Sequence, residues 1–309
     1  MPSSGYGKIG GARQLDVSEV LARGQSACAF CASYIPPSHQ PAVVLIVGYF
    51  VWSLAIGFFN KWALGSRWRG GAGFTFPFFY SAMHMVCTVI VVSTIFLLRP
   101  SLNTLSREQF KQHYTSLVAL ALLYTVSVSC NNASVDNASL STKCLITGVT
   151  PLVTLALSYA MERKAYASSV IRLVGLQVLC AMLAVPQDGT SASAYGVFVS
   201  MLSVLASAGK PVLSGMLMCE RQLTGLTPLA LVWYYTAISS IMMLVLTAGS
   251  RQERNHLSEE LHSQPWRSLV AIVVGSLLAS GYNILMFYLT LITSALTNTM
   301  LGNVKQVPP

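Results

Sequence analysis

The sequence predicts an all-α polytopic membrane protein, and three observations indicate this fold class. Hydrophobic residues make up 53% of the 309 residues and charged residues only 9%, against about 25% charged in soluble domains. The mean hydropathy is strongly positive, at +0.59. Eight segments reach the roughly twenty mostly apolar residues that a membrane helix needs. Eight such segments in one chain favour a membrane bundle over the buried helices of a soluble protein.

The chain divides into two parts. Residues 1–40 are mixed in composition and predict a disordered cytosolic tail, and residues 41–309 predict a transmembrane transporter domain. The predicted helices are 41–64, 77–98, 116–135, 139–160, 168–185, 194–219, 228–249 and 267–290, followed by an incomplete ninth, 294–309. About fourteen helical residues of that ninth segment span roughly 21 Å, short of a bilayer core of roughly 30 Å. The polar segment Ser250–Trp266 is predicted to be the longest loop.

The net charge is +9, and much of it is explained by Lys and Arg in cytosolic loops. With the N-terminus in the cytosol, the inner side has ten Lys and Arg residues and the outer side has five. The excess of Lys and Arg in cytosolic loops therefore favours a cytosolic N-terminus.

The acidic residues all lie in the tail, in loops or at helix ends, and none lies in the middle of an apolar segment. Carriers driven by protons or sodium usually need a carboxylate within the membrane, so this distribution argues against such coupling. Basic residues do occur within the apolar segments. They are Lys61, Lys143, Lys210 and Lys305, with His84 as a titratable neighbour.

The four lysines are spaced regularly. Lys61 and Lys210 lie on the predicted first and sixth helices, and Lys143 and Lys305 on the fourth and ninth, so each pair is five helices apart. Inverted repeats of five helices place equivalent positions on opposite sides of a site at the bilayer midplane. A lysine at membrane depth costs about 2.5–3.5 kcal/mol on insertion scales. Lysines without acidic partners suit a substrate that brings its own negative charge, such as phosphate.

Each of these residues also has a structural interpretation. Lys61 and Lys143 lie near helix ends and could extend to the interface. His84 could be a core residue, and Tyr235 either stacks on a base or sugar or packs in the core. Lys210 precedes Pro211, which kinks a helix and releases a backbone carbonyl. Lys305 is the strongest candidate.

Other function classes find little support in the sequence. It shows no paired carboxylates within apolar segments, no metal-ligand spacing beyond the weak pair Cys28 and Cys31, and no nucleophile beside a base. We therefore expect no enzymatic activity, no catalytic residue, no cofactor and no metal. The expected partners are an anionic small molecule and the lipid bilayer. A homodimer is left open, and nucleic acid is not expected.

Several motifs together resemble a known family. They are Phe59-Asn60-Lys61-Trp62, Met83-His84-Met85, the segment from Asn131 through Thr150-Pro151 to Glu162-Arg163-Lys164, and Leu301-Gly302-Asn303-Val304-Lys305. Their order and spacing resemble the triose-phosphate translocator and nucleotide-sugar transporter branch of the drug/metabolite transporter superfamily. The resemblance covers roughly residues 42–307.

The resemblance implies a ten-helix inverted five-plus-five repeat, which this chain would leave truncated within helix nine. It also implies antiport, in which a nucleotide sugar or related phosphorylated metabolite exchanges for a nucleoside monophosphate or phosphate, in a Golgi or endoplasmic reticulum membrane rather than a plastid envelope. It assigns the anionic group to Lys305. From the residues themselves, we expect Lys143 to hold the phosphate together with Lys305, with Lys210, Lys61 and His84 in support and Asn303 and Tyr235 as further substrate-binding candidates.

Three local departures from the family pattern affect the substrate. Many members have Lys or Arg four residues before the fourth-helix proline, where this chain has Thr147, although Lys143 lies one turn earlier on the same face. Lys305-Gln306 replaces a Lys-Arg pair, which argues against triose phosphate. Tyr235-Thr236-Ala237 replaces Tyr-Asn-Asn, which argues against GDP-mannose. The alternatives are a sugar-phosphate/phosphate translocator and a truncated, non-transporting membrane protein.

Overall fold

A computed structural model describes residues 40–64, 72–137, 140–184, 193–219 and 226–304. Within these ranges the chain is helical, with short connections. The helices are α1 (Gln40–Leu64), α2 (Pro77–Leu98), α3 (Arg107–Asn137), α4 (Leu140–Gly148), α5 (Thr150–Leu157), α6 (Ser168–Ala184), α7 (Ala194–Cys219), α8 (Pro228–Gly249), α9 (Arg251–Ser263), α10 (Pro265–Ile292) and α11 (Ala295–Val304). A 3-10 turn, Pro100–Leu102, follows α2, and a π-helical turn, Ser158–Glu162, continues α5.

Seven helical segments in the described ranges are long and apolar enough to cross a membrane. They are α1, α2, α3, the combined α4 and α5, α7, α8 and α10, and α6 is a shorter apolar helix. The structure thus confirms a helical, polytopic membrane protein. In chain order we count α4 and α5 together as the fourth membrane helix, α7 as the sixth, α8 as the seventh, α10 as the eighth and α11 as the ninth.

The segment Ser250–Trp266 is not the long loop that the sequence predicts, because it contains the helix α9. The Ser250 side chain caps this helix by accepting a hydrogen bond from the backbone N–H of Glu253 at 3.3 Å. A search for apolar segments cannot detect α9, since most of its residues are polar. One face of this helix packs against the bundle. On that face, Leu257 contacts the core cluster that includes Phe74 and Phe76.

The membrane helices pack in pairs that are distant in sequence. The most extensive packing is that of α3 on α7 and of α2 on α8, while α10 packs on both α1 and α2. The short α11 packs chiefly on α5. Buried aromatic side chains fill the centre of the bundle, among them Tyr49, Tyr235 and Phe287. This arrangement leaves α4, α5 and α11 beside the central helices α3 and α7.

The fourth membrane helix is interrupted at Val149, where α4 ends and α5 begins. Pro151 has no backbone N–H, so the carbonyl of Thr147 loses its ordinary helical donor, and the Thr150 hydroxyl donates to it instead. The backbone N–H of Leu152 donates to Val149 at 3.0 Å rather than to Gly148. The break therefore releases the Gly148 carbonyl toward the interior of the bundle.

The contact between α1 and α10 depends on a glycine. The indole N–H of Trp52 on α1 donates to the carbonyl of Leu278 on α10 at 2.6 Å. A Cβ atom added at Gly281 would lie 2.5 Å from atoms of the same indole ring. Only a residue without a side chain lets the ring lie this close to the α10 backbone.

We expect Gly281→Ala to lower stability by about 1–3 kcal/mol, because the added methyl group overpacks the Trp52 contact. The measurement is the melting temperature of the purified protein in detergent. Gly57→Ala on α1 is the matched control, since a Cβ there meets nothing within 4 Å. Equal melting temperatures for the two variants would contradict this account of the α1–α10 contact.

The helix α9 also caps α2. The Glu253 carboxylate accepts hydrogen bonds from the backbone N–H groups of Phe78 at 2.8 Å and Phe79 at 3.1 Å, in the first turn of α2. His256 contacts the Thr75 hydroxyl just before that turn. Glu253 is only 5% exposed. Burial raises its pKa above the ordinary value, and the two backbone hydrogen bonds partly oppose the rise.

A raised pKa means that the folded chain binds this proton more tightly than the unfolded chain does. The stability contributed by Glu253 should therefore increase as pH falls through its raised pKa, and should be complete below the unfolded value. We expect the melting temperature of the parent, relative to Glu253→Gln, to rise as pH is lowered from neutral toward the ordinary carboxyl pKa of 4.5. Glu259→Gln, at an exposed position of the same helix, should show no such trend. A constant difference between parent and Glu253→Gln across this range would contradict the prediction.

Candidate functional site

A cavity of about 270 Å³ lies where α3, α4, α5, α7, α10 and α11 meet, with Tyr49 of α1 at its edge. Its lining includes residues from both halves of the chain. They are Tyr49, Ser127, Val128, Asn131, Thr147, Thr150, Ser203, Val204, Ser207, Lys210, Pro211, Tyr282, Met286, Asn298, Thr299, Gly302 and Asn303. The cavity is thus enclosed by helices that also pack against one another in the bundle.

The cavity wall is polar for a site inside a membrane bundle. Hydroxyl and amide side chains dominate the lining, and among the residues that the structure describes Lys210 is the one charged lining residue and none is Asp or Glu. Ser127 and Ser207 hydrogen-bond to each other at 2.6 Å across α3 and α7, and the Ser203 hydroxyl donates to the Ser127 carbonyl at 3.0 Å. The wall can therefore offer hydroxyl groups, amide groups and one ammonium group to a polar ligand.

Lys210 lies one residue before Pro211 on α7, and both line the cavity. Its Nζ atom is 5.1 Å from the centroid of the Tyr124 ring on α3. This distance is within the range of a cation–π interaction. Of the four lysines singled out from the sequence, Lys210 is the one that the described structure places in the cavity wall.

Lys143 lies beside the cavity rather than in its lining. Its Nζ donates to the backbone carbonyl of Asn131 at 3.4 Å, and Asn131 is a lining residue. One turn further along α4, the Thr147 side chain does line the cavity.

Asn303 brings the ninth membrane helix to the break in the fourth. Its side-chain N–H donates to the Gly148 carbonyl at 2.9 Å, which is the carbonyl released by the break. Asn303 also lines the cavity. Lys305 follows two residues later and lies outside the described residues, so its placement stays a prediction.

The remaining candidates lie away from the cavity. Lys61 is exposed in the last turn of α1. His84 is buried on α2, with its ring centroid 4.1 Å from that of Tyr80. Tyr235 is fully buried on α8, where its hydroxyl donates to Asn283 Oδ1 at 3.1 Å and its ring stacks on Phe287. Direct contact of these three with a ligand stays a prediction.

Sequence reasoning missed several lining residues. Tyr49 and Tyr282 stack with ring centroids 5.6 Å apart and approach each other through their hydroxyl groups at 3.4 Å. Asn298 donates to the Thr290 hydroxyl at 2.7 Å. An asparagine within an apolar segment is a signal that could have identified Asn298. Serine and tyrosine are too common in membrane helices for Ser127, Ser207 or Tyr282 to have been recognised.

Comparison with known proteins gives consistent relatives at low identity. No protein-family model matches the chain. The chain is 27% identical over 265 residues to a UDP-uronic acid transporter of Arabidopsis thaliana, covering 84% of this chain and 82% of the relative. It is 22% identical over 273 residues to a GDP-mannose transporter of the same plant, covering 85% and 74%. It is 27% identical over 278 residues to solute carrier family 35 member E4 of Rattus norvegicus, covering 87% and 72%.

Other Arabidopsis relatives are named as a UDP-galactose transporter and as probable sugar phosphate/phosphate translocators. The relatives are thus transporters rather than enzymes, and they support a transporter role for an integral, multi-pass membrane protein. They confirm the resemblance predicted from the motifs: the chain is similar to proteins of the nucleotide-sugar and triose-phosphate translocator branch.

Proposed function

We propose that this protein is a membrane antiporter that exchanges a nucleotide sugar or related phosphorylated metabolite for a nucleoside monophosphate or phosphate. The observation that carries the proposal is the cavity inside the helical bundle, whose described lining combines Lys210 with hydroxyl and amide groups and includes no carboxylate. A cationic group in such a site favours an anion, and hydroxyl and amide groups suit the neutral hydroxyl groups of a sugar. The relatives transport molecules of this class according to their names.

The pairing of the helices supports an inverted repeat of five plus five. In a five-plus-five repeat, each membrane helix of one half corresponds to the helix five positions away in the other half. The third and sixth helices therefore correspond to the eighth and first, and both of these pairs pack extensively. The second and seventh helices correspond to each other in this repeat, and so do the fourth and ninth. The two helices of each of these pairs also pack against each other. This pattern is what a two-fold repeat of the whole bundle requires.

Within this arrangement, we propose that Lys305, Lys210 and Lys143 hold the anionic group of the substrate. Lys210 lies in the cavity wall, Lys143 beside it, and Asn303 ties the segment that leads to Lys305 to the break at Gly148. The break at Pro151 and the proline inside α7, Pro211, provide points at which the fourth and sixth helices can bend during exchange. The excess of Lys and Arg on one side supports a cytosolic N-terminus, and we propose a Golgi or endoplasmic reticulum membrane on the basis of the family resemblance.

A second candidate substrate class is a sugar phosphate exchanged for phosphate. Two observations favour it: some relatives are named as probable sugar phosphate/phosphate translocators, and a cavity of about 270 Å³ is at the small end of the ligand sites found in proteins. Both candidates use the same cationic wall, and they differ in whether a nucleoside is bound.

A thermal-shift screen separates the two candidates. A ligand at one hundred times its dissociation constant should stabilise the folded chain by about 2.7 kcal/mol. We expect a shift in melting temperature with one nucleoside monophosphate and its sugar conjugate, and exchange of that pair across proteoliposomes. A shift with triose phosphates or inorganic phosphate alone would assign the second candidate. No shift with any of these anions, from a well-folded sample, would contradict anion transport.

We expect Lys305→Ala to abolish anion binding with the fold intact, and Lys210→Gln to weaken it. Loss of a hydrogen bond to a charged group costs about 1.5–3 kcal/mol, which corresponds to a roughly ten- to hundredfold weaker affinity for Lys210→Gln. Lys111→Gln is the matched control, because Lys111 is exposed and pairs with Glu108 at 3.8 Å on the surface. Unchanged anion affinity in Lys305→Ala would remove the central role of that lysine.

A further inference from the structure

The contact between Lys210 and Tyr124 suggests a role for a residue that lies behind the cavity wall. Lys210 Nζ is 5.1 Å from the Tyr124 ring centroid, and Tyr124 is not among the residues that line the cavity. The contact therefore joins Lys210, which lines the cavity, to a ring that is not part of the lining. An ammonium has three N–H donors, so it can keep this contact and still bind an anion.

The Tyr124 ring is held from behind by a rigid stack. Its centroid lies 6.1 Å from that of Tyr235 in an edge-to-face arrangement, and the Tyr235 ring stacks on Phe287 at 5.0 Å. The Tyr235 hydroxyl donates to Asn283 Oδ1 at 3.1 Å, which fixes that ring in turn. Aromatic side chains with only two rotatable angles, packed in this way, give the Tyr124 face a fixed position.

An aromatic ring can hold the Lys210 ammonium without cancelling its charge, which a carboxylate cannot do. A carboxylate next to Lys210 would neutralise the ammonium and repel an anionic substrate. The negative face of an aromatic ring attracts the cation without adding a net charge to the cavity. The ammonium can thus be stabilised in the bundle and still present its full charge to the ligand.

We propose that Tyr124 is the positioning residue for Lys210: its ring face holds the Lys210 ammonium at the cavity wall, in the place from which it meets the anion. The part of this proposal that concerns the anion rests on the proposed function, whereas the placement of the Lys210 side chain does not. If Tyr124 served only to fill space in the bundle, any apolar side chain of similar size could take its place without affecting Lys210.

The first test uses the ligand-free protein. Lys210 is acylated with a small reagent, and its rate is read from peptide mass spectrometry relative to exposed Lys111. We expect Tyr124→Leu to raise the rate at least about fivefold, because the ammonium is no longer held, and Tyr124→Phe to stay within about twofold of the parent. Tyr114→Leu, at an exposed position of the same helix, should leave the rate unchanged. A parent-like rate in Tyr124→Leu, or an equal rise in Tyr124→Phe, would overturn the proposal.

If Tyr124→Leu does not fold, a fluorinated phenylalanine at position 124 keeps the shape of the ring and weakens its negative face. The acylation rate of Lys210 should then exceed that of Tyr124→Phe and increase with the number of fluorine atoms. A rate that does not depend on fluorination would overturn the proposal, because packing alone would then explain the contact.

The second test measures the affinity for inorganic phosphate. We expect Tyr124→Leu to weaken it about five- to twentyfold, Tyr124→Phe to leave it nearly unchanged, and Tyr124→Leu to have no further effect in a Lys210→Gln background. A full additional loss in that background would overturn the coupling between the two residues. A parent chain that binds none of phosphate, nucleotide sugars or sugar phosphates would contradict the proposed function, and the acylation rates would then decide the placement of Lys210 by themselves.

Discussion

Lys210 is a basic side chain inside a bundle of apolar helices, and much of the surrounding structure is arranged around its contacts. It lines the polar cavity, and its Nζ atom lies 5.1 Å from the centroid of the Tyr124 ring. Tyr124 is supported by Tyr235, and the helices α3 and α7 that carry the contact form one of the most extensive packing interfaces of the bundle. A lysine at membrane depth costs free energy, so this environment gives it a defined place.

The break between α4 and α5 has a complementary role, because it brings polar backbone to the same cavity. Pro151 prevents a continuous helix, and side chains donate to the released carbonyls: the Thr150 hydroxyl to that of Thr147, and the Asn303 amide to that of Gly148. Irregular backbone at membrane depth is tolerated where it is buried in protein or lines a cavity. The break is therefore both a polar element of the wall and the point at which the fourth and ninth membrane helices are joined.

The extramembrane helix α9 shows a second way in which polar residues organise the bundle. Glu253 caps the first turn of α2 and so links the connection between the seventh and eighth membrane helices to the start of the second. Together with the close α1–α10 contact at Gly281, this fixes α1, α2 and α10 as a group on one side of the bundle. The cavity lies where α10 meets α3, α4, α5, α7 and α11, with Tyr49 of α1 also in its lining.

The sequence by itself determined the class of the protein, because membrane helices are set by long apolar segments that can be read without a partner. It also located four lysines within those segments and showed that no acidic residue lies in the middle of an apolar segment. Only the tertiary structure decided that Lys210 lies in the cavity wall while Lys61 does not, that Tyr235 is buried behind Tyr124, and that Asn303 bonds to a carbonyl 155 residues away. The reason is physical: which face of a helix meets the cavity depends on its rotation and on packing partners distant in the chain. The helix α9 was missed for a related reason, since its fold depends on a cap and one buried stripe rather than on an apolar segment.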